Sequence, residues 1–338
     1  MSSIAFGIDL GTGNIKIYFS AKDMIVNEKN MVAVMKKDIL FAYGDSAYDM
    51  YEKAPQNIRV SYPLVNGVIA DIGNMSSVLN HFINELTDGH SAGADYYVSV
   101  PTDVTEVEKR AFYDLIKDSG VKPRKIMMVE KSLADGLGMG IDVKTSQGAL
   151  IVDVGFETTE ISVLSLGGIV LSKLIKQGGR KFDDAIRSVV RREFGLVIGE
   201  KTAEQVKISL KEIEDKHEPA VVYGRDLVTG LPVERSIPTD LIDNAIAETA
   251  STIVDNVKLI LERTPPELSA DIYRKGIYLT GGTAALTHLD ELIVKGTALK
   301  VNKSENPQES AAYGLARVIK DHNFRSVAYS INEMSEDA

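Results

Sequence analysis

Hydrophobic positions along the chain alternate between short continuous runs and longer stretches with helical spacing. The short runs predict buried β-strands, which we place at residues 4–10, 96–100, 125–129, 149–154, 161–164 and 276–279. Strands that alternate with helices are typical of an α/β protein. We therefore predict a core of mixed sheets flanked by helices.

Two segments between the strands carry the clearest helical pattern. The first follows Asp103, which has the capping-box spacing to Glu106, and it ends at Gly120. The second starts after Thr239 and is stopped by a pair of prolines that begins at Pro265. We expect both helices to pack an apolar face against the core.

Three further segments are predicted to lie at the periphery of the fold. Asn66-Gly67 separates two apolar runs and predicts a hairpin turn. Residues 211–235 are more polar and irregular, which suggests a small peripheral subdomain. Residues 333–338 are acidic and are expected to form a frayed tail.

Composition and charge narrow the classes of function. The net charge of −10 argues against nucleic acid as the main partner, because phosphate contacts need a basic face. The chain has no cysteine, which excludes disulfides and thiolate-bound metals. No basic region followed by an apolar stretch opens the sequence, and no run reaches the roughly 18 apolar residues of a membrane span. We therefore expect a cytoplasmic protein.

An internal repeat is the feature most informative about function. Residues 7–17 and 151–161 share one pattern, in which an apolar strand ends in Asp-x-Gly, turns through small residues and re-enters a strand. The aspartates of the two copies are Asp9 and Asp153. A turn with little side chain exposes backbone N–H groups that can cradle phosphate oxygens. Two copies, one in each half of the chain, predict two phosphate loops that face each other.

The residues around these turns suit a nucleotide. An aspartate at a strand end can hold a water-shelled Mg²⁺, and Lys16 adds a point charge for a phosphate. A third glycine turn, at Gly281-Gly282, follows a predicted strand and lets a flat base or ribose approach the backbone. Together they predict an adenosine nucleotide site.

With these residues assembled, the chain resembles the actin superfamily and, within it, the bacterial MreB family of rod-shape proteins. Besides the loops, the resemblance rests on several long segments, which are residues 62–71, 105–111, 158–160, 165–170, 198–204 and 224–232. It implies a two-lobed actin-type ATPase fold, with duplicated mixed sheets and a smaller subdomain on each lobe. It also implies ATP or ADP with Mg²⁺ in the cleft between the lobes.

The resemblance also implies limits for the lobes. Lobe I would span residues 1–142, with a peripheral subdomain at about 20–75. Lobe II would span residues 143–307, with a peripheral subdomain at about 180–240. Residues 308–338 would return to lobe I and end in the acidic tail.

The family's site residues map onto matching positions of this chain. The residues expected to contact the nucleotide are Asp9, Gly11, Thr12, Gly13, Asn14, Lys16, Asp153, Gly155, Thr158, Gly178, Gly179, Glu204, Lys207, Gly281 and Gly282. Asp9 and Asp153 would hold Mg²⁺ through water, and Thr158 is a candidate for positioning the attacking water. Glu204 and Lys207 would contact the ribose and base.

The family's partners set further expectations. We expect self-association into filaments, and we also consider other MreB-type subunits and cell-wall synthesis proteins. The family attaches to membranes through an N-terminal amphipathic helix or an apolar loop before the strand at 96–100. In this chain the N-terminus is short and residues 86–95 are glycine-rich and polar. We therefore expect membrane association only through partners.

Two departures from the family fall on the chemistry. Lys131 stands where the family has a glutamate that positions the attacking water, and a protonated lysine cannot act as a base. Phe156 and Glu157 replace small glycines in the second loop. An uncompensated negative charge on Glu157, about 4 Å from a phosphate, would weaken nucleotide binding roughly a thousandfold. Our hypothesis is that Lys131 and Glu157 pair across the cleft.

These observations predict an MreB-like protein that binds ATP and hydrolyses it weakly or not at all. An alternative is a scaffold of the same fold that binds no nucleotide. A sugar or metabolite kinase shares the two-lobed core, but Arg180-Lys181 after the glycine pair offers no carboxylate base. A heat-shock-chaperone ATPase needs a further substrate domain, for which 338 residues are too few.

Overall fold

The computed structural model describes residues 4–36, 39–210 and 219–331. The strands are β1 (Ala5–Leu10), β2 (Asn14–Phe19), β3 (Met24–Lys29), β4 (Val32–Met35), β5 (Ile39–Tyr43), β6 (Ile58–Ser61), β7 (Leu64–Val65), β8 (Val68–Ile69), β9 (Asp95–Val100), β10 (Lys125–Glu130), β11 (Ala149–Val154), β12 (Thr159–Ser165), β13 (Gly168–Ile175), β14 (Leu196–Val197), β15 (Ala220–Asp226), β16 (Pro232–Ile237), β17 (Ile277–Thr280), β18 (Val301–Lys303) and β19 (Ala328–Tyr329). The α-helices are α1 (Gly44–Met50), α2 (Ile72–Thr87), α3 (Glu106–Asp118), α4 (Lys131–Gly138), α5 (Gly179–Phe194), α6 (Glu200–Ser209), α7 (Thr239–Arg263), α8 (Pro266–Lys275), α9 (Leu289–Thr297) and α10 (Ser310–Lys320). Two 3₁₀ helices span Gly282–Ala285 and His322–Val327.

Two mixed sheets repeat the same arrangement. One has the strand order β19-β10-β9-β1-β2-β3, and the other has the order β13-β12-β11-β17-β18. In the first, β1 pairs antiparallel with β2 and parallel with β9. In the second, β11 pairs antiparallel with β12 and parallel with β17. The predicted α/β core is therefore built around two copies of one hairpin-and-crossover unit.

The predicted strands are all present, with ends that shift by at most two residues. The helix predicted after Thr239 is α7, and the Asn66-Gly67 turn joins β7 to β8. Within the stretch 211–235, for which a peripheral subdomain is predicted, the described residues belong to a hairpin of β15 and β16. Residues 211–218 and the predicted acidic tail at 333–338 lie outside the described residues.

The predicted cap of α3 is also wrong. Thr105 is the N-cap, and its hydroxyl and the Glu108 carboxylate form a complete capping box. Asp103 and Glu106 have the same spacing, so the sequence alone offered two solutions. The Asp103 carboxylate instead accepts a hydrogen bond from the Leu174 N–H at 3.1 Å.

The two sheets are joined through helices α4 and α10. A buried cluster takes Leu133 from α4, Leu315 from α10, Val129 from the first sheet and Ile151 from the second. In addition, α10 contacts β1, and β19 adds an edge strand to the first sheet. The end of the described chain therefore packs on the first half. The numerical limits of the lobes stay a prediction.

Glycines set the distance between α4 and α10. A Cβ at Gly314 would overlap the carbonyl oxygen of Ala134, and a Cβ at Gly138 would overlap the carbonyl oxygen of Ser310. Because the obstacles are backbone atoms, a side chain could fit only if the helices moved apart. The contact between the halves thus depends on these glycines.

We expect Gly314→Ala to lower the free energy of unfolding by about 1–3 kcal/mol, because it overpacks this helix contact. Urea denaturation followed by circular dichroism would measure the change. Gly73→Ala in α2 is the matched control, since its Cβ would meet only the Asp71 Oδ1 at 3.8 Å. Equal effects of the two substitutions would contradict the close helix contact.

Candidate functional site

A cleft between the two repeated units contains a cavity of about 290 Å³. Thirteen of the fifteen residues predicted to contact the nucleotide contribute to its wall, as does Lys131; the thirteen are Asp9, Gly11, Thr12, Gly13, Asn14, Lys16, Asp153, Gly155, Thr158, Glu204, Lys207, Gly281 and Gly282. Gly178 and Gly179 are not part of the wall, although the Gly179 N–H donates to the Gly155 carbonyl at 3.0 Å. The structure thus brings residues from both halves of the chain to one place.

The two predicted phosphate loops have the same turn geometry. The Gly11 N–H donates to the Asn14 carbonyl at 3.1 Å, and the Gly155 N–H donates to the Thr158 carbonyl at 2.9 Å. Each turn directly follows the strand that ends in the repeated Asp-x-Gly motif. This equivalence agrees with the repeat detected in the sequence.

Asp9 is held as a buried carboxylate. Its Oδ2 lies 3.1 Å from the Lys16 Nζ, and its Oδ1 accepts the Ser99 hydroxyl at 2.7 Å. Burial raises the pKa of Asp9, but the charges of Lys16 and Lys131 and the Ser99 hydrogen bond outweigh burial and bring it to about 2. Asp9 is therefore ionised at neutral pH.

The predicted pair of Lys131 with Glu157 is wrong. The Lys131 Nζ lies 2.5 Å from the Asp153 Oδ2 instead. Lys131 is the first residue of α4, and Asp153 lies near the end of β11, so the two side chains meet inside the cleft. Burial lowers the pKa of Lys131, but Asp153, Asp9 and Asp135 raise it well above its usual value. The ammonium is therefore protonated.

Glu157 is neutralised by a different residue. The Arg180 Nη1 donates to its Oε1 at 2.6 Å, and the Asn66 N–H donates to its Oε2 at 2.5 Å. The Arg180 guanidinium also lies over the rings of Phe156 and Tyr62, at 5.9 and 5.6 Å from their centroids. The charge of Glu157 is thus compensated by Arg180 and not by Lys131. Sequence reasoning named Arg180 only as the residue after the glycine pair and missed this role.

Phe156 packs across the cleft onto the first loop. Its ring lies 5.4 Å from that of Tyr62, and a Cβ at Gly13 would come within 2.8 Å of the Phe156 Cβ. The Phe156 side chain therefore fills space beside the second loop, as expected from its size. It is directed towards residues of the opposite turn, where Gly13 leaves the space.

Two further carboxylates near Asp153 were missed by the sequence analysis. Glu160 is buried and accepts hydrogen bonds from the hydroxyls of Ser132 and Thr102. Burial raises the pKa of Glu160, although these hydrogen bonds lower it. Asp135 lines the cavity, and its buried Oδ2 has no hydrogen-bond partner among the described residues. Burial, and next the charge of Asp153, raise the pKa of Asp135 well above its usual range.

The cavity wall also contains Glu204 and Lys207, which are predicted to contact the ribose and base. Glu204 lies 3.3 Å from the Lys29 Nζ and accepts the Tyr48 hydroxyl, so it links two peripheral segments across the cleft. Lys207 lies 2.7 Å from the Asp183 Oδ1 and donates to the Gly179 carbonyl at 3.2 Å. Both side chains thus have protein partners as well as a face on the cavity.

Comparison with known proteins identifies the family. The family model described as MreB/Mbl protein matches residues 3–326. The cell shape-determining protein Mbl of Bacillus subtilis is 38% identical over 312 residues, which cover 91% of this chain and 93% of that protein. The chain belongs to the MreB/Mbl family. The cell shape-determining protein MreB of Escherichia coli is 34% identical to this member of the family, covering 95% of this chain and 94% of that protein.

Solved structures of the MreB/Mbl family confirm the predicted fold. MreB5 of Spiroplasma citri bound to ADP has a TM-score of 0.89 and 34% identity to this chain, and the match covers 96% of this chain and 98% of that one. The same protein bound to AMPPNP has a TM-score of 0.90 and 33% identity, with 97% and 98% covered. The MamK double helical filament has a TM-score of 0.77 at 20% identity, which supports the fold alone. The two-lobed actin-type architecture expected from the resemblance is therefore confirmed.

None of the helices within residues 4–36, 39–210 and 219–331 of this MreB/Mbl chain could span a membrane. No helix in those ranges combines the length and the apolar character needed to cross a membrane.

We expect the buried Asp183 to make the stability of this MreB/Mbl protein depend on pH. Burial raises its pKa to about 6, although Lys207 lowers it, whereas the unfolded value is about 3.9. Because the folded state holds the proton more tightly, stability falls as the pH rises from about 4 to about 6 and stays reduced above that. We expect Asp183→Asn to be more stable than the wild type at pH 8 by about 1–3 kcal/mol, with little difference near pH 4.

Urea unfolding midpoints at the two pH values would measure this difference. Asp184→Asn, on the neighbouring and more exposed carboxylate, is the control, and it should change stability little at either pH. Loss of stability in Asp183→Asn at both pH values would mean that its ion pair with Lys207 outweighs its burial.

Proposed function

We propose that this MreB/Mbl protein binds an adenine nucleotide in the cleft and self-associates into filaments that help to determine cell shape. The observation that carries the proposal is the pair of matching Asp-x-Gly turns that face one cavity from both halves of the chain. The related MreB5 structures were solved with ADP and AMPPNP, and MamK was solved as a double helical filament. Mbl and MreB are named cell shape-determining proteins.

Each part of the cavity has a proposed role. The two turns would hold the phosphates through the backbone N–H groups and small side chains, and Lys16 would add a positive charge. Gly281 and Gly282 would allow the adenosine to approach the backbone. Glu204 and Lys207 would contact the ribose and base, as the resemblance implies.

We propose that hydrolysis is weak or absent. Lys131 stands at the family's glutamate position, and its ammonium is paired with Asp153 at 2.5 Å. A protonated ammonium cannot accept a proton from an attacking water. Thr158 stays a candidate for positioning that water.

The residues present do not fit the predicted Mg²⁺ between Asp9 and Asp153. Each carboxylate already accepts an ammonium group, from Lys16 at 3.1 Å and from Lys131 at 2.5 Å. A water-shelled magnesium ion needs free carboxylate oxygens to accept hydrogen bonds from its water ligands, and one oxygen of each aspartate already contacts an ammonium group. We therefore assign no part of the function to this metal.

Association with other MreB-type subunits or with cell-wall synthesis proteins is proposed from the family alone. A cytoplasmic location, with membrane contact only through such partners, has the same basis. Co-purification with the other shape proteins of its cell would test these partners.

Calorimetry with ATP and a sedimentation assay would test the proposed function, with phosphate release measured in parallel. We expect binding, nucleotide-dependent pelleting and negligible phosphate release. Pelleting without any nucleotide binding would favour the nucleotide-free scaffold instead, an alternative that Phe156 supports by packing across the cleft onto the first loop. Rapid phosphate release would contradict the role given to Lys131.

A further inference from the structure

We propose that the Lys131 ammonium takes the place of the divalent cation beside the phosphates, so that this protein binds its nucleotide without Mg²⁺. The proposal rests on the proposed nucleotide function and concerns the same cleft. It is carried by the two ammonium groups that pair with the aspartates of the two repeated hairpins.

The two hairpins differ at the position that lies opposite the aspartate. In the first, Asp9 lies opposite Lys16 in the β1–β2 register. In the second, Asp153 lies opposite Glu160 in the β11–β12 register. The second hairpin therefore has a carboxylate where the first has its ammonium. Lys131, from a separate helix, supplies the missing positive charge to Asp153 at 2.5 Å.

Lys131 completes a symmetric charge pattern around the cavity. Each Asp-x-Gly turn now has one carboxylate paired with one ammonium group, and both ammonium groups line the cavity wall. An ammonium is an effective point charge for phosphate oxygens. Two such groups provide the positive charge that a divalent cation would otherwise bring to the phosphates.

The same arrangement opposes a metal. The Lys131 side chain is 20% exposed and that of Asp153 is 6% exposed, so this pair lies in a confined part of the cleft. A divalent cation there would be repelled by the ammonium and would compete for the same carboxylate oxygen. The Lys131 ammonium therefore disfavours Mg²⁺ beside the Asp153 carboxylate.

Binding of ADP and AMPPNP to the full chain, measured by calorimetry in EDTA and in excess Mg²⁺, tests the proposal. We expect the two dissociation constants to agree within about threefold. In Lys131→Gln, which frees the Asp153 carboxylate, we expect Mg²⁺ to tighten binding by about tenfold or more. Lys125→Gln is the matched control, because this exposed lysine begins the strand that Lys131 follows, and it should behave as the wild type.

Binding by the wild type only in Mg²⁺ would overturn this inference and leave the proposed function intact. Binding in neither buffer would overturn both. Electron paramagnetic resonance of Mn²⁺ added to the wild-type complex gives a second test that needs no variant. We expect the spectrum of Mn²⁺ with free nucleotide only, and a protein-bound Mn²⁺ signal that nucleotide induces would contradict the substitution by Lys131.

Discussion

Lys131→Glu is expected to lower the free energy of unfolding by about 3–5 kcal/mol in metal-free buffer, the range found when one partner of a buried ion pair is removed. The substitution leaves Asp153 without its ammonium partner and adds a carboxylate near Asp9 and Asp135. Like charges in such a confined place raise each other's free energy. Urea unfolding of the purified variant would measure the loss.

Lys125→Glu makes the same charge change at an exposed position and should cost less than about 1 kcal/mol. If Lys131→Glu is as stable as this control, the ion pair with Asp153 does not stabilise the fold. If Mg²⁺ restores part of the lost stability, the freed carboxylates have become available to a metal, as the inference on Lys131 requires.

Removing Glu157 should not rescue the Lys131→Glu variant. A direct pair between these residues would make Glu157→Gly compensate, but Glu157 is bonded to Arg180 and to the Asn66 N–H. Glu157→Gly would leave Arg180 without one of its two carboxylate partners, the other being Glu200 at 3.3 Å. The double variant should therefore be no more stable than Lys131→Glu alone.

Much of the fold could be predicted from local sequence. Continuous apolar runs and the Asp-x-Gly repeat located both central hairpins, because a buried strand that ends in a tight turn leaves a clear local pattern. The cap of α3 could not be decided this way, since Asp103-x-x-Glu106 and Thr105-x-x-Glu108 fit the same rule. In the structure, the Asp103 carboxylate instead accepts a hydrogen bond from the N–H of Leu174, which lies on the distant strand β13.

Side-chain partners in the cleft were the part that sequence could not predict. The family resemblance places both Lys131 and Glu157 near the expected phosphates, so a pair between them was reasonable from charge alone. The partner of each was set by distances between elements far apart in the chain, since α4 points Lys131 at β11 while α5 brings Arg180 to Glu157. The register of β11 and β12, which places Glu160 opposite Asp153, would have been the signal to look for a third residue.

Gly281→Ala is the second substitution with a large expected effect, about 2–6 kcal/mol of lost stability. Gly281 has φ of +90°, a conformation that L side chains rarely adopt, which costs about 1–3 kcal/mol. Its Cβ would also overlap the Asp153 Oδ1 and the Val154 carbonyl oxygen, and overpacking adds about 1–3 kcal/mol. The loop therefore needs glycine because the second phosphate loop lies directly against it.

The neighbouring Gly282 distinguishes this close approach from a general need for flexibility. A Cβ at Gly282 would meet only the Gln308 side chain, at 3.5 Å or more, which is ordinary contact. Urea unfolding should thus show a loss in Gly281→Ala that is several times larger than that in Gly282→Ala. Similar losses in both would mean that the loop tolerates movement away from Asp153. In that case the adenosine end and the phosphate end of the cleft would not be rigidly coupled, and the close approach of Gly281 to Asp153 would be a feature of one conformation only.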